Sequence, residues 1–166
     1  MFAVDRFERV RSELMARRDS DKLRPCITEL ELSQFEAAER VRLPTGYRRF
    51  VLEIGGGGPG PYDGLIPLGG AVPAPPASLA RPFLFPRATS LVPVRKRSRL
   101  DYRSIDPNTD PHDGCLLLCH HGCATYEVLV VTGEEPDRVW VSANDGVVHP
   151  RKQSFLEWYE AWLDER

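Results

Sequence analysis

Cys115, Cys119, His120, His121 and Cys123 fall within nine residues, with His112 just upstream, and thiols and imidazoles gathered this closely are the usual soft ligands of zinc. The spacing argues against that chemistry. A closed zinc site uses two pairs of ligands on Cys-x2-Cys turns or their equivalent, whereas Cys115, Leu117 and Cys119 alternate along a leucine-rich stretch that reads as a strand. Small buried thiols are the plainer expectation, with Cys26 as the fourth cysteine and no disulfide framework. Nucleophilic attack by Cys123 with His120 or His121 as base is set aside too, because adjacency along a strand and turn does not bring base and thiol into reach.

Two other patterns have the outline of a ligand site. Gly55, Gly57 and Gly60 match Gly-x-Gly-x-x-Gly, but a dinucleotide fingerprint must follow a strand and open a helix. Here the glycines follow a helical pattern and run into Pro61-Tyr62-Asp63-Gly64, so they end a helix. Asp106, Asn108 and Asp110 resemble the start of a calcium loop, yet Pro111 occupies the glycine position and Leu117 the place of the closing glutamate. Gly-x-Ser-x-Gly and His-Glu-x-x-His are absent. The residues therefore point to no catalytic centre, cofactor, metal or small-molecule substrate. Glu53 and Asp63 flank the glycine loop, and if that loop is exposed and rigid they form a candidate receptor for a basic ligand.

The elements that position these residues follow from periodicity. Phe7, Val10 and Leu14 mark an amphipathic helix within residues 2–18. Thr28-Glu29-Leu30-Glu31 is a capping box, opening a helix that reaches about Arg40. A third helix starts at Pro44 and carries Tyr47, Phe50, Val51 and Ile54 on one stripe. Residues 55–76 contain 8 glycines and 6 prolines, a loop broken only by a short strand at Gly64–Leu68. Phe83–Phe85 and Leu91–Val94 read as edge strands within a proline-rich stretch. Strands over Gly114–His120, Ala124–Thr132 and Arg138–Ser142 make an antiparallel meander. Ser154 caps a last helix whose aromatic face is Phe155, Trp158, Tyr159 and Trp162 and which should dock on the sheet.

The whole reads as one α+β domain of 166 residues, with an N-terminal helical segment at 1–24 and a proline-rich variable segment at 70–113. A net charge of −2 indicates neither a nucleic-acid nor a membrane partner. Arg95, Lys96, Arg97 and Arg99 form a basic island without the aromatic interleaving that base stacking needs, so they read as a solvated loop. Apolar runs are too short to span a bilayer, and the charged N-terminus shows no signal-peptide core, which makes the cytoplasm the expected location.

Three blocks carry a family resemblance. Leu43-Pro44-x-x-Tyr47-x-x-Phe50 with Leu52-Glu53-Ile54 and Gly55 to Gly58 is the most specific. Pro61 to Leu68 follows it. His120-His121-Gly122-Cys123 through Thr132-Gly133 comes next, completed by Arg138-Val139-Trp140-Val141 and the Phe155 to Trp162 helix. In this order, over roughly residues 28–165, the chain resembles the SUKH superfamily, which includes the yeast cell-wall assembly regulators and many bacterial immunity proteins. The stretch from Gly70 to Asp113 departs most from that pattern. The resemblance implies an α+β fold with a mixed or mainly antiparallel sheet packed by helices. It also implies a non-catalytic protein that neutralises a cognate toxin, of nuclease or deaminase type, by binding it. Arginine outnumbers lysine 19 to 3, a hint of a high-GC bacterial gene that favours the immunity branch over a signalling or scaffold module like the yeast regulators. For a toxin with a basic active surface, Glu53, Asp63, Asp106, Asp110 and Asp113 are candidate acidic contacts, and Tyr62 is a candidate aromatic anchor.

Overall fold

The computed structural model of the chain describes residues 5–18, 20–70, 77–85, 100–101, 110, 112–142 and 147–165. The expected strand at Leu91–Val94, the basic island at Arg95–Arg99 and Asp106 lie outside the described residues.

Four helices are described: α1 (Arg6–Met15), α2 (Glu29–Glu39), α3 (Thr45–Glu53) and α4 (Phe155–Asp164). Each begins and faces inward for reasons written in its residues. The Thr28 hydroxyl accepts the Glu31 amide while the Glu31 carboxylate takes the Thr28 amide, and Ser154 with Glu157 repeats the arrangement at α4. Pro44 is the N-cap of α3. Phe7, Val10 and Leu14 of α1, and Tyr47, Phe50 and Val51 of α3, are the buried stripes. Tyr47 and Phe50 meet the α4 aromatics edge-on, with Tyr47 and Phe155 ring centroids 5.0 Å apart and Phe50 and Tyr159 4.9 Å apart.

The strands are β1 (Leu100–Asp101), β2 (Cys115–Gly122), β3 (Thr125–Val130), β4 (Arg138–Ser142) and β5 (Val147–Ser154). They form one antiparallel sheet in the order β1-β5-β4-β3-β2, so the expected α+β class and antiparallel meander both hold. Both faces are covered. Leu118, Leu129 and Val139 pack beneath the helices, while Cys115, Val128, Val130 and Trp140 pack with Phe83 and Phe85 on the other side.

Sequence periodicity missed β5, whose Pro150-Arg151-Lys152-Gln153 is polar and proline-bearing. Among the described residues β1 pairs only with Val147 and Val148, and Pro150 pairs only with Trp140 of β4. Among the described residues two expected strands reduce to isolated bridges. Leu65 pairs only with Gly58, since Gly64 has φ +90° and Pro67 has no amide to donate, and Phe83 pairs only with Gly133.

The glycine loop overturns one expectation. Gly55, Gly56, Gly57, Pro59 and Gly60 are buried, not exposed. Their backbone lies against the backbone of residues 22–25, with the Arg24 amide donating to the Gly57 carbonyl at 2.9 Å and the Gly56 amide to the Arg24 carbonyl at 3.2 Å. A Cβ on Gly58 would stand 2.6 Å from the Lys22 carbonyl oxygen. The glycines are there so that two chain segments can touch.

Candidate functional site

The alternation expected for Cys115, Leu117 and Cys119 fails, and its failure builds the site. Leu117 opposes Val128 and Cys119 opposes Glu127, so Leu118 is an extra residue in an edge strand; His121 is a second one, between the His120–Tyr126 and Gly122–Thr125 pairs. The first bulge turns Cys119 towards the helices with Leu118. The carbonyl it frees, that of Leu118, accepts the Ile66 amide at 2.8 Å, which ties residues 61–66 across the edge of β2. His120 then stacks on Tyr126, centroids 4.8 Å apart, on one face, and His121 turns towards Glu127 on the other. Cys123 and Ala124, at φ 50° and 54°, close the hairpin.

Glu127 is a carboxylate in the middle of an otherwise apolar strand, only 1 % exposed. Arg151 reaches it from β5: Nη2 lies 2.6 Å from Oε1, and Nε lies 3.1 Å and 3.3 Å from the two oxygens. This is a charge-assisted pair with its anion inside and its cation half out. The bond to Glu127 is the main reason the guanidinium pKa is raised. His121 Nε2 stands 3.4 Å from Glu127 Oε1, yet it is buried without a hydrogen-bond partner. Burial outweighs the nearby carboxylate and lowers the imidazole pKa, so this histidine is held neutral.

Tyr62 stacks on the outer side of His121, centroids 3.5 Å apart, and is nevertheless 59 % exposed. It divides two depressions of ≈ 520 Å³ each. One lies between the tyrosine and α4, with Glu127, Arg151, Gln153, Trp158, Trp162 and Glu165 in its lining. The other is lined by Lys22, Arg24, Asp63 and His120 along the far side of the Gly58–Pro67 turn.

Among the residues singled out from sequence, Tyr62 and Asp63 share this rim; Asp63 is well exposed, 3.8 Å from His120 Nδ1. Glu53 ends α3 with its carboxylate engaged by Arg49 at 3.0 Å. Asp110 accepts the His112 amide at 2.8 Å. Asp113 is only 5 % exposed and accepts the Ser78 amide at 3.0 Å, so its carboxylate is spent on holding a loop. Glu127 and Arg151 were not singled out, and His121 was weighed only as a metal ligand or a base for Cys123 and set aside. The readable signal was a lone acid between Tyr126 and Val128 in a strand apolar on both faces.

The thiols do not join this cluster chemically. Burial raises the Cys119 thiol to about 12 and Cys115 well above its ordinary value, so both stay protonated. Among the described residues no group of three or more His, Cys, Asp or Glu side chains could hold a metal ion. No described helix is long and apolar enough to cross a membrane.

A sheet with helices on one face, a buried backbone-packed glycine loop and a rim of tyrosine, histidine and arginine defines an α+β module of the kind the resemblance implied. The chain belongs to the SMI1/KNR4 family (SUKH-1), whose family model matches residues 26–161. No curated protein and no solved structure matches the chain.

Proposed function

We propose that the protein is a non-catalytic binding module that recognises another protein through the Tyr62 rim, and that this partner is a cognate toxin which it neutralises by occupying the toxin's active surface. The observation that carries the reading is the state of Tyr62: a large exposed aromatic already fixed by stacking on His121. An anchor ordered before binding loses little side-chain entropy on association, and aromatic anchors of this kind dominate interface energetics. Asp63 beside it supplies exposed negative charge that steers a basic partner. Membership of the SMI1/KNR4 family supports binding over catalysis.

The test is affinity capture from the source lysate, identification of the captured protein, and reassay of its activity with the purified protein added. One captured toxin domain, inhibited stoichiometrically, is the expected result. Asp63→Lys should then weaken the complex by tens of fold. Capture of housekeeping proteins with no inhibitable activity would replace the immunity reading with a signalling or scaffold role.

A further inference from the structure

We propose that the groove between α4 and the Tyr62 turn takes one basic side chain, an arginine or lysine, presented by a partner protein; this rests on the binding reading and names the chemistry its partner must offer.

Charge decides the polarity of the occupant. The lining holds two carboxylates, Glu127 and Glu165, and one guanidinium, Arg151. Arg151 is committed to Glu127 through three contacts of 2.6–3.3 Å, which cancels both charges at the floor. Arg17 is held at the same helix end, its guanidinium 5.7 Å from the Trp162 ring centre and donating to the Leu163 carbonyl at 3.1 Å, and Glu165, the exposed C-cap of α4, is the carboxylate of the lining that makes no ion pair among the described residues. An anion entering here would face two carboxylates and a guanidinium already in use. A cation would meet the opposite balance.

Shape and surface agree with a long side chain. Trp158, Trp162 and Glu165 are spaced i, i+4 and i+7 along α4 and form one wall, while Tyr62 forms the other. The two tryptophans are largely buried and offer apolar edges, against which the methylenes of arginine or lysine can lie while the charged head reaches Glu165. The depression across Tyr62 is mixed in charge, with exposed Lys22, Arg24 and Asp63 in its lining.

The probe is N-acetyl-arginine amide titrated into the isotopically labelled full chain at low salt, with N-acetyl-glutamate amide as the matched anion. Saturable NMR shifts at Trp158, Trp162 and Glu165 with the arginine probe alone are expected. Glu165→Lys should weaken this binding tenfold or more, and Glu135→Lys, the same charge change at an exposed loop position, should leave it unchanged. Shifts scattered over other acidic surfaces, equal responses to both probes, or equal weakening by the two variants overturn the proposal. With a captured partner in hand, an affinity unaffected by Glu165→Lys overturns the groove assignment and leaves protein binding standing. A groove that binds arginine in a chain that captures no partner removes the functional reading instead.

Discussion

Tyr62 lies nearly parallel to His121, 27° between planes and 3.5 Å between centroids, and at φ 54° its backbone is in a conformation that non-glycine residues seldom adopt. The stack and the strained backbone fix one exposed ring at one place on the rim. Tyr62→Ala removes the ring without opening a core cavity. Partner affinity should fall by tens of fold, while stability to urea changes by no more than about 1 kcal/mol. A complex of undiminished affinity, measured by calorimetry, would falsify the role of Tyr62 as an anchor.

Glu127 and Arg151 make a second, asymmetric prediction. Arg151→Met leaves a carboxylate at 1 % exposure with no cation beside it and should cost about 3–5 kcal/mol, the usual penalty for breaking a buried pair from one side. Glu127→Gln with Arg151→Met removes both charges and should recover most of that loss. Equal denaturant midpoints for the single and the double variant would show that the pair is not coupled.

The same region makes stability depend on pH near neutrality. Burial is the leading cause that lowers the pKa of both His121 and His112, against nearby carboxylates that pull the other way. An unfolded imidazole titrates near about 6.5, so below that pH the unfolded chain binds protons that the folded chain refuses. Stability should be flat from about pH 8.5 to 7.5 and fall as pH drops through about 6.5. The low-lying carboxyls of Glu31 and Glu157, held down by their capping hydrogen bonds, act in the same direction but in the acid range. In His112→Gln/His121→Gln the slope between about pH 7 and 5 should flatten. Urea midpoints that keep the original slope would assign the dependence to other groups.

Two glycines separate crowding from backbone strain. Gly58 has φ +124° and lies against the Lys22 backbone, whereas Gly69 has φ +71° with nothing within 4 Å of an added Cβ. Gly69→Ala should cost only the left-handed penalty, about 1–2 kcal/mol. Gly58→Ala adds a backbone collision and should cost on the order of 3 kcal/mol or more, read as a larger drop in Tm. Equal losses would mean that the loop can move away from residues 22–25.

The helices were legible because their signals are local. Thr28 with Glu31 and the Phe7, Val10, Leu14 spacing each state an element without reference to the rest of the chain. Capping at Ser154 was equally plain. The site was not legible because it is a product of pairing. Nothing in Leu116-Leu117-Leu118-Cys119 announces which residue will be left out of the ladder, and without that register His121 cannot be placed on the Glu127 face. Arg151 was hidden in a strand that Pro150 disguised. The glycine loop misled for a related reason. A run of glycines is equally compatible with solvent and with a backbone laid against another backbone, and only the partner segment at 22–25 distinguishes the two.

The bulge at Leu118 also uncouples the length of this hairpin from the composition of its surfaces. In a regular paired strand, loss or gain of one residue exchanges every later side chain between faces. Here Leu117 already opposes Val128 and Cys119 already opposes Glu127, so a chain lacking Leu118 keeps both pairs and loses one leucine from the core. His120 and His121 would still look to opposite sides. What such a shortening gives up is the Leu118 carbonyl that holds the Ile66 amide, so it spares the two faces of the hairpin and releases the turn that carries Tyr62.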